Sequence, residues 1–215
     1  MVSVMPRVLV ATIGFDEKFV IRALIRHQEE IDAFIGILSR PVDQRAAQAA
    51  DNIKGFIERY VRDRGRSLAY RFEEVDPSDP YLAISSLKKL FKQEDEYILN
   101  LSGGMRALVV ETLTAFVASR ARGVIEIELE NFTGRIVIDP RVLTASPLNA
   151  EEERIVAAIR KLGRATYKDI IRETGIPRTT VFKHLSSLRS RGIIAYQREG
   201  RTTYYTLTDI GKALS

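Results

Sequence analysis

The sequence predicts a two-part α/β protein: a Rossmann-like domain with a doubly wound parallel sheet and an antiparallel edge hairpin, then a winged helix-turn-helix domain. Three observations carry that prediction. Apolar runs alternate with amphipathic helical stretches through residues 1–140, the pattern of parallel strands joined by crossover helices. From Asn149 onward, three short helical stretches precede a hairpin, which is the winged-helix order. The charge also changes sign: residues 1–140 hold 19 Lys/Arg against 21 Asp/Glu, and residues 141–215 hold 14 against 7. A chain of 215 residues is long enough for two modest cores.

Each element has its own signal. "RVLVAT" (7–12) is the first strand, and "EKFVIRALIRHQEE" is the first helix. Either Phe19, Ala23 and Arg26 or Val20, Leu24 and His27 fall at helical spacing there. "DAFIGILS" (32–39) is the second strand. The polar, Ala-rich stretch from Asp43 to Arg64 is a helix with Ile53, Phe56, Ile57, Tyr60 and Val61 on one side. "SLAYRFEEV" (67–75) alternates as the third strand, and Asp79-Pro80 opens the helix "PYLAISSLKKLFKQ". "EYILNL" (96–101) is the fourth strand and leads through two glycines into another helix. "GVIEIELEN" (123–131) and "GRIVIDP" (134–140) pair around Thr133-Gly134 at the sheet edge.

The stretch "DPRVLTASPLNAEEE" marks the boundary, so the domains are expected at 1–139 and 149–215, with a linker over 140–148. Asn149 is the expected N-cap of "EERIVAAIRKLG", with Glu151, Glu152 and Glu153 at the positive end of its dipole. "TYKDIIRETG" and "PRTTVFKHLSSLRSRG" follow, and "IIAYQREGRTTYYTLT" is a hairpin with Glu199-Gly200 at its tip. In "ETGIPRTTV", Gly175 permits the tight turn, Ile176 faces the core and Pro177 opens the third helix.

On that third helix Val181, Leu185 and Leu188 share the buried face. Thr179, Lys183, Ser186, Ser187 and Ser190 lie opposite, with Arg178 and Thr180 near the start. Hydroxyls and cations at the front of such a helix reach base edges or phosphates. Arg198 and Arg201 flank the hairpin tip, where a wing would meet the DNA backbone or minor groove. The expected DNA-binding set is therefore Arg178, Thr179, Thr180, Lys183, Ser187, Arg198 and Arg201. Phe182 is read as core edge, His184 as packing or phosphate contact, and one of Tyr204 and Tyr205 as core. The alternative is a module for protein contacts with a merely solvated polar face. One recognition helix holds few base contacts, so a dimer on a roughly palindromic double-stranded operator is expected.

Several chemistries are excluded. Without cysteine there are no disulfides or thiolate sites, and His27 and His184 are too far apart in sequence for a histidine-rich metal site. The N-terminal "MVSVMPRVLVATIGF" is broken by Pro6 and Arg7, so it is read as neither signal peptide nor membrane span. No membrane partner and a cytoplasmic location are expected. No G-x-G-x-x-G, G-x-x-x-x-G-K-[ST] or G-x-S-x-G occurs. Instead, for a strand order 3-2-1-4-5-6, the crevice lies between "TIGFDEKF" (12–19) and "LSGGMRAL" (101–108). Each loop opens a helix whose free N–H groups favour an anion. Thr12, Gly14, Phe15, Asp16, Asn100, Ser102, Gly103, Gly104, Met105 and Arg106 are the expected ligand-binding residues. The plainer alternative is that Gly103-Gly104 only makes a tight turn.

The C-terminal stretch, closing on "YTLTDIGKAL", resembles bacterial and archaeal winged-helix regulators. The combination of "VLVATIGFDEKFVIRAL", "ILNLSGGMRALVVETL" and a winged helix resembles the CRISPR-associated Rossmann-fold (CARF) transcriptional regulators of archaea, of the Csa type. Where other branches of that superfamily carry Thr then Lys after the glycines, this chain has Met105 and Arg106. The resemblance implies a homodimer whose sensor domains bind one cyclic oligoadenylate, cyclic tetra-adenylate first among them. It also implies regulation of CRISPR-associated genes; no cofactor is expected, and no enzymatic activity beyond a slow ring-nuclease side activity. Two alternatives stand beside it: a ring nuclease that degrades the oligoadenylate, and a regulator sensing another phosphorylated metabolite or nucleotide.

Overall fold

A computed structural model of the chain describes residues 5–64 and 68–215, with the side chains of 60–64 outside that description. The side chains of Tyr60 and Val61 on the expected helix face, and Ser67 of the expected third strand, therefore lie outside that description. The chain divides into two compact units, with the break between Pro140 and Arg141.

The first unit holds β1 (Arg7–Thr12), α1 (Lys18–His27), β2 (Ala33–Ser39), α2 (Gln44–Arg64), β3 (Ala69–Val75), α3 (Pro80–Lys88), β4 (Glu96–Asn100), α4 (Arg106–Ser119), β5 (Arg122–Glu128) and β6 (Arg135–Ile138). The sheet order is β3-β2-β1-β4-β5-β6, as expected; β1 to β5 run parallel and β6 is antiparallel to β5. Side chains alternate across each strand, so β1 sends Val8 and Val10 to one face and Leu9 and Ala11 to the other. Leu9 and Ala11 pack with Val20 and Leu24 of α1 and Ile53 and Ile57 of α2. Val8 and Val10 pack with Leu87 of α3 and Leu108 and Phe116 of α4. Each of the Val, Leu, Ile and Phe side chains among them contributes about 1.5–3 kcal/mol on burial. Of the two faces open for α1, the buried one carries Val20, Ala23, Leu24 and His27.

The start of α3 follows from its sequence. Asp79 accepts from the Tyr81 and Leu82 amides, and Pro80 occupies a first-turn position that needs no donor. The antiparallel pair is shorter than its sequence signal, because β5 ends at Glu128 and the chain turns through Phe132 at φ 57°.

The second unit holds α5 (Arg141–Thr144), α6 (Ala150–Leu162), β7 (Ala165–Thr166), α7 (Tyr167–Thr174), α8 (Arg178–Ser190), β8 (Ile194–Glu199), β9 (Thr202–Leu207) and α9 (Asp209–Ala213). Its small sheet has the order β7-β9-β8. The segment read as a linker, 140–148, contains α5 and packs Val142, Ala145 and Leu148 against this unit's core. That core joins Ile155, Ile159, Ile170, Ile176, Val181, Leu185, Leu188 and Ile193. Asn149 caps α6 by accepting from the Glu151 and Glu152 amides, while Glu152 accepts from the Asn149 amide in return. Gly175 ends α7 in the left-handed region at φ 66° and turns the chain into α8. The two-residue β7 is too short to show a period, which is why the sequence gives no sign of it.

Candidate ligand and nucleic-acid sites

At the C-terminal ends of β1 and β4 the two expected loops meet backbone to backbone. A Cβ on Gly14 would stand 2.6 Å from the Gly104 amide nitrogen. Gly104 sits at φ 99°, and a Cβ there would lie 2.9 Å from the Thr12 Cβ. Only glycine allows this approach at both positions. Thr12 is fully buried, and its hydroxyl donates to the Gly103 carbonyl. Asn100, also fully buried, accepts from the Ser102 amide at 3.2 Å, while its own amide nitrogen has no hydrogen-bond partner among the described residues. The Ser102 hydroxyl accepts from the Glu128 amide at 2.8 Å. Thr12, Asn100 and Ser102, expected at the ligand, thus fix the shape of the loop from behind.

In front of the loop opens a cleft of about 520 Å³, lined by Gly14, Phe15, Asp16, Gly103, Gly104, Met105 and Arg106 among the expected residues. Ile13, Phe19, Ser39, Pro41, Asp43 and Ala46 complete it. The last four come from β2, α2 and the segment between them. Because β2 neighbours β1, its end borders the same crevice; that adjacency was the available signal. The Arg45 guanidinium lies 3.7 Å from the centre of the exposed Phe15 ring. Met105 is half exposed, so the cleft offers apolar and aromatic surface beside its glycines.

The two helix ends differ. Among the described residues no side chain caps α4, so its first-turn N–H groups are free at the end where Met105 and the exposed Arg106 line the cleft. At α1, by contrast, Asp16 accepts from the Lys18 amide at 2.9 Å and lies 3.8 Å from the Lys18 ammonium. A carboxylate already serves that end, so the anion-favouring end of the cleft is α4.

Behind the site stands a charge network with no counterpart in the sequence reading. Glu126 and Glu128 of β5 are both buried. Arg26 reaches Glu126 at 3.0 Å and Glu128 at 2.9 Å, and Arg22 pairs with Glu128. Glu126 also takes His27 at 3.1 Å and Arg135 at 3.3 Å. Burial pushes the Glu126 carboxyl up, but His27, Arg26 and Arg135 outweigh it and hold it below the ordinary glutamate range. The alternation in "VIEIELE" and the i, i+4 spacing of Arg22 and Arg26 are visible in the sequence, but neither says that the two faces meet.

In the second unit, a cleft of about 880 Å³ runs between α8 and the β8–β9 wing. Arg178, Thr179 and Arg201 of the expected set line it, joined by Lys168, Phe182, Thr202 and Thr203. Lys183 is exposed on α8, and α8 contains no carboxylate. Arg198 donates to the Gly200 carbonyl at 3.2 Å across the wing tip. Thr180 is half-buried, and the Ser187 hydroxyl donates to Glu152 at 3.2 Å, so Ser187 turns toward the domain's own structure. Glu152 also accepts from Arg191 at 2.9 Å. His184 pairs with Glu151 at 2.8 Å, a packing role. Tyr205 packs on the core, while Tyr204 lies under the Arg164 guanidinium at 3.7 Å. Phe182, expected at the core edge, is 67% exposed. Its position one residue past Val181 turns the ring outward into the cleft.

Among the described residues no helix is long and apolar enough to cross a membrane, and no group of three or more His, Asp or Glu could hold a metal ion.

Comparison with known proteins gives a family for each unit. Residues 7–139 match the family described as the Csa3 CRISPR-associated Rossmann-like domain. Residues 143–210 match the family described as the sugar-specific transcriptional regulator TrmB. An uncharacterized protein of Methanocaldococcus jannaschii is 32% identical over 87 residues, which are 40% of this chain and 19% of that protein. The chain therefore spans about a fifth of that relative. Among solved structures, BpsR of Bordetella bronchiseptica, whose DNA binding is regulated by 6-hydroxynicotinic acid, is 28% identical. The match covers 34% of this chain and 55% of BpsR, with a TM-score of 0.31. Can2 of Sulfobacillus thermosulfidooxidans, solved with cyclic tetra-adenylate, is 10% identical and has a TM-score of 0.44. That match covers 97% of this chain and 61% of Can2.

Proposed function

Because the chain belongs to the Csa3 family of CRISPR-associated Rossmann-like proteins, we propose that it is a homodimeric, cytoplasmic transcription regulator of CRISPR-associated genes, governed by a cyclic oligoadenylate. The observation that carries this reading is the uncapped start of α4 at Gly103, Gly104 and Arg106, opening on a cleft with an apolar wall. Backbone N–H groups and a guanidinium suit a phosphate, and Phe15, Phe19 and Met105 suit a flat base. Cyclic tetra-adenylate is the ring assigned. Its two-fold symmetry matches a pair of such loops across a dimer axis.

The second unit supplies the output. Thr179 and Lys183 of α8, with Arg178 and Arg201 along the cleft, face a double-stranded operator of roughly palindromic form. A ring bound at the dimer axis changes DNA affinity only by binding one arrangement of the dimer more tightly than another. The chain acts in this reading as a regulator, not an enzyme.

Calorimetric titration of the full chain with cyclic tetra-adenylate tests the ligand. One ring per dimer is expected, with Arg106→Ala weakening binding about tenfold to a hundredfold, the worth of a charge-assisted hydrogen bond. Adding Gly103→Asp should abolish binding. No heat and no thermal shift from the wild type would reject this ring. Linear products after incubation with excess protein would move the chain to the nuclease class.

A further inference from the structure

Phe182 has no part in the phosphate and hydroxyl contacts assigned to α8. It is 67% exposed on α8, and no ring or cation partner is found for it among the described residues. It stands one helical turn after Arg178 and Thr179 and directly before Lys183, and it lines the cleft that Arg201 faces. An exposed aromatic ring amid cations and hydroxyls, on a helix without carboxylates, is surrounded by the charge complement of a polyanion. We infer that Phe182 is a specificity-determining residue that reads thymine methyl groups in the major groove; this rests on the duplex-DNA assignment of α8. The 5-methyl of thymine is the apolar feature of the major-groove code, and a ring of this kind recognises it by contact rather than by hydrogen bonding. Arg178, Lys183 and Arg201 then place the helix on phosphates, while Phe182 and Thr179 meet base edges.

The test begins by enriching duplex sites from a random library on the full-length protein, with and without cyclic tetra-adenylate. Each thymine of the enriched half-site is then replaced by deoxyuridine, which removes the methyl and nothing else. The wild type should lose about fourfold in affinity at one or two thymines, the worth of one buried methyl-sized group. Phe182→Ala should bind thymine and deoxyuridine duplexes equally, Phe182→Leu should keep part of the discrimination, and both should melt as the wild type does. Lys183→Ala should weaken both duplexes alike and leave their ratio intact. Wild-type binding indifferent to every exchange, or Phe182→Ala that discriminates as the wild type does, overturns the assignment of Phe182 and leaves α8 as a DNA-binding helix. Failure to enrich any site overturns both.

Discussion

Gly14 and Gly104 meet with no room between them: the Cβ that any other residue would carry at 14 lies 2.6 Å from the Gly104 amide nitrogen. The loops after β1 and β4 are therefore shaped by mutual backbone contact. The Thr12 hydroxyl on the Gly103 carbonyl closes the joint. Alanine at the three glycines should rank by this geometry. Gly104→Ala meets both a positive φ and the Thr12 side chain, and should cost about 1–3 kcal/mol. Gly14→Ala should cost a similar amount by forcing the loops apart. Gly103→Ala, whose nearest neighbour would be 3.3 Å away at ordinary φ, should be mildest. Thermal melts of the three variants give the order directly, and a Gly103→Ala variant less stable than both others would contradict it.

The network behind the loop makes the first unit sensitive to acid. Folding lowers the Glu126 carboxyl below its ordinary 4.5, so the unfolded chain takes up a proton there before the folded one does. Its stabilisation is thus complete above pH 4.5 and is lost as pH falls through the lowered value. Glu126→Gln leaves Arg26, Arg135 and His27 facing a neutral group and should cost about 3 kcal/mol at pH 7. Denaturant melts at falling pH should show the gap between wild type and variant narrowing below pH 4.5. A constant gap would mean that the carboxylate charge is not what stabilises the fold.

The sheet was legible because its signal is repeated. Five apolar runs separated by helices fix a doubly wound order, and the structure returns 3-2-1-4-5-6 with the antiparallel edge. The helix caps at Asp79 and Asn149 were legible for the same reason, each being local chemistry at a fixed spacing. What a polar residue faces was less so. Thr12, Asn100 and Ser102 look alike in sequence whether they touch a ligand or brace a loop, and only the fold places Ser102 under the Glu128 amide. Glu126 and Glu128 alternate as a solvent face would, yet α1 delivers Arg22 and Arg26 onto them. Phe182 was misplaced because aromatic character argues for burial unless the neighbouring charges are weighed.

Asp16 gives a prediction of opposite sign to most site mutations. Its carboxylate occupies the start of α1 and lines the cleft that α4 opens toward an anion. Asp16→Asn keeps an oxygen for the Lys18 amide but removes the charge. Binding of an anionic ring should tighten about twofold to fivefold, the range for one charge at a helix terminus. The gain should shrink with added salt. Calorimetry at two ionic strengths would check both parts, and weaker binding by the variant would mean that Asp16 holds the ligand directly.

Ser187 and Lys183 sit one turn apart on α8 yet should respond in different assays. The Ser187 hydroxyl donates to Glu152, which also accepts from Arg191 and from the Asn149 amide. Burial pushes the Glu152 carboxyl up, but these bonds prevail and hold it below the ordinary range. Ser187→Ala should therefore lower the stability of the second unit by about 1 kcal/mol. It should leave the salt dependence of DNA binding unchanged. Lys183 is exposed and free of carboxylates along its helix, so Lys183→Ala should leave the melt unchanged. It should lower affinity on every duplex and reduce the slope of log K against log salt by about one. Gel-shift titrations at three salt concentrations, beside thermal melts, separate the two roles. A changed salt slope in Ser187→Ala with an unchanged melt would return Ser187 to the DNA interface and leave the Glu152 bond incidental.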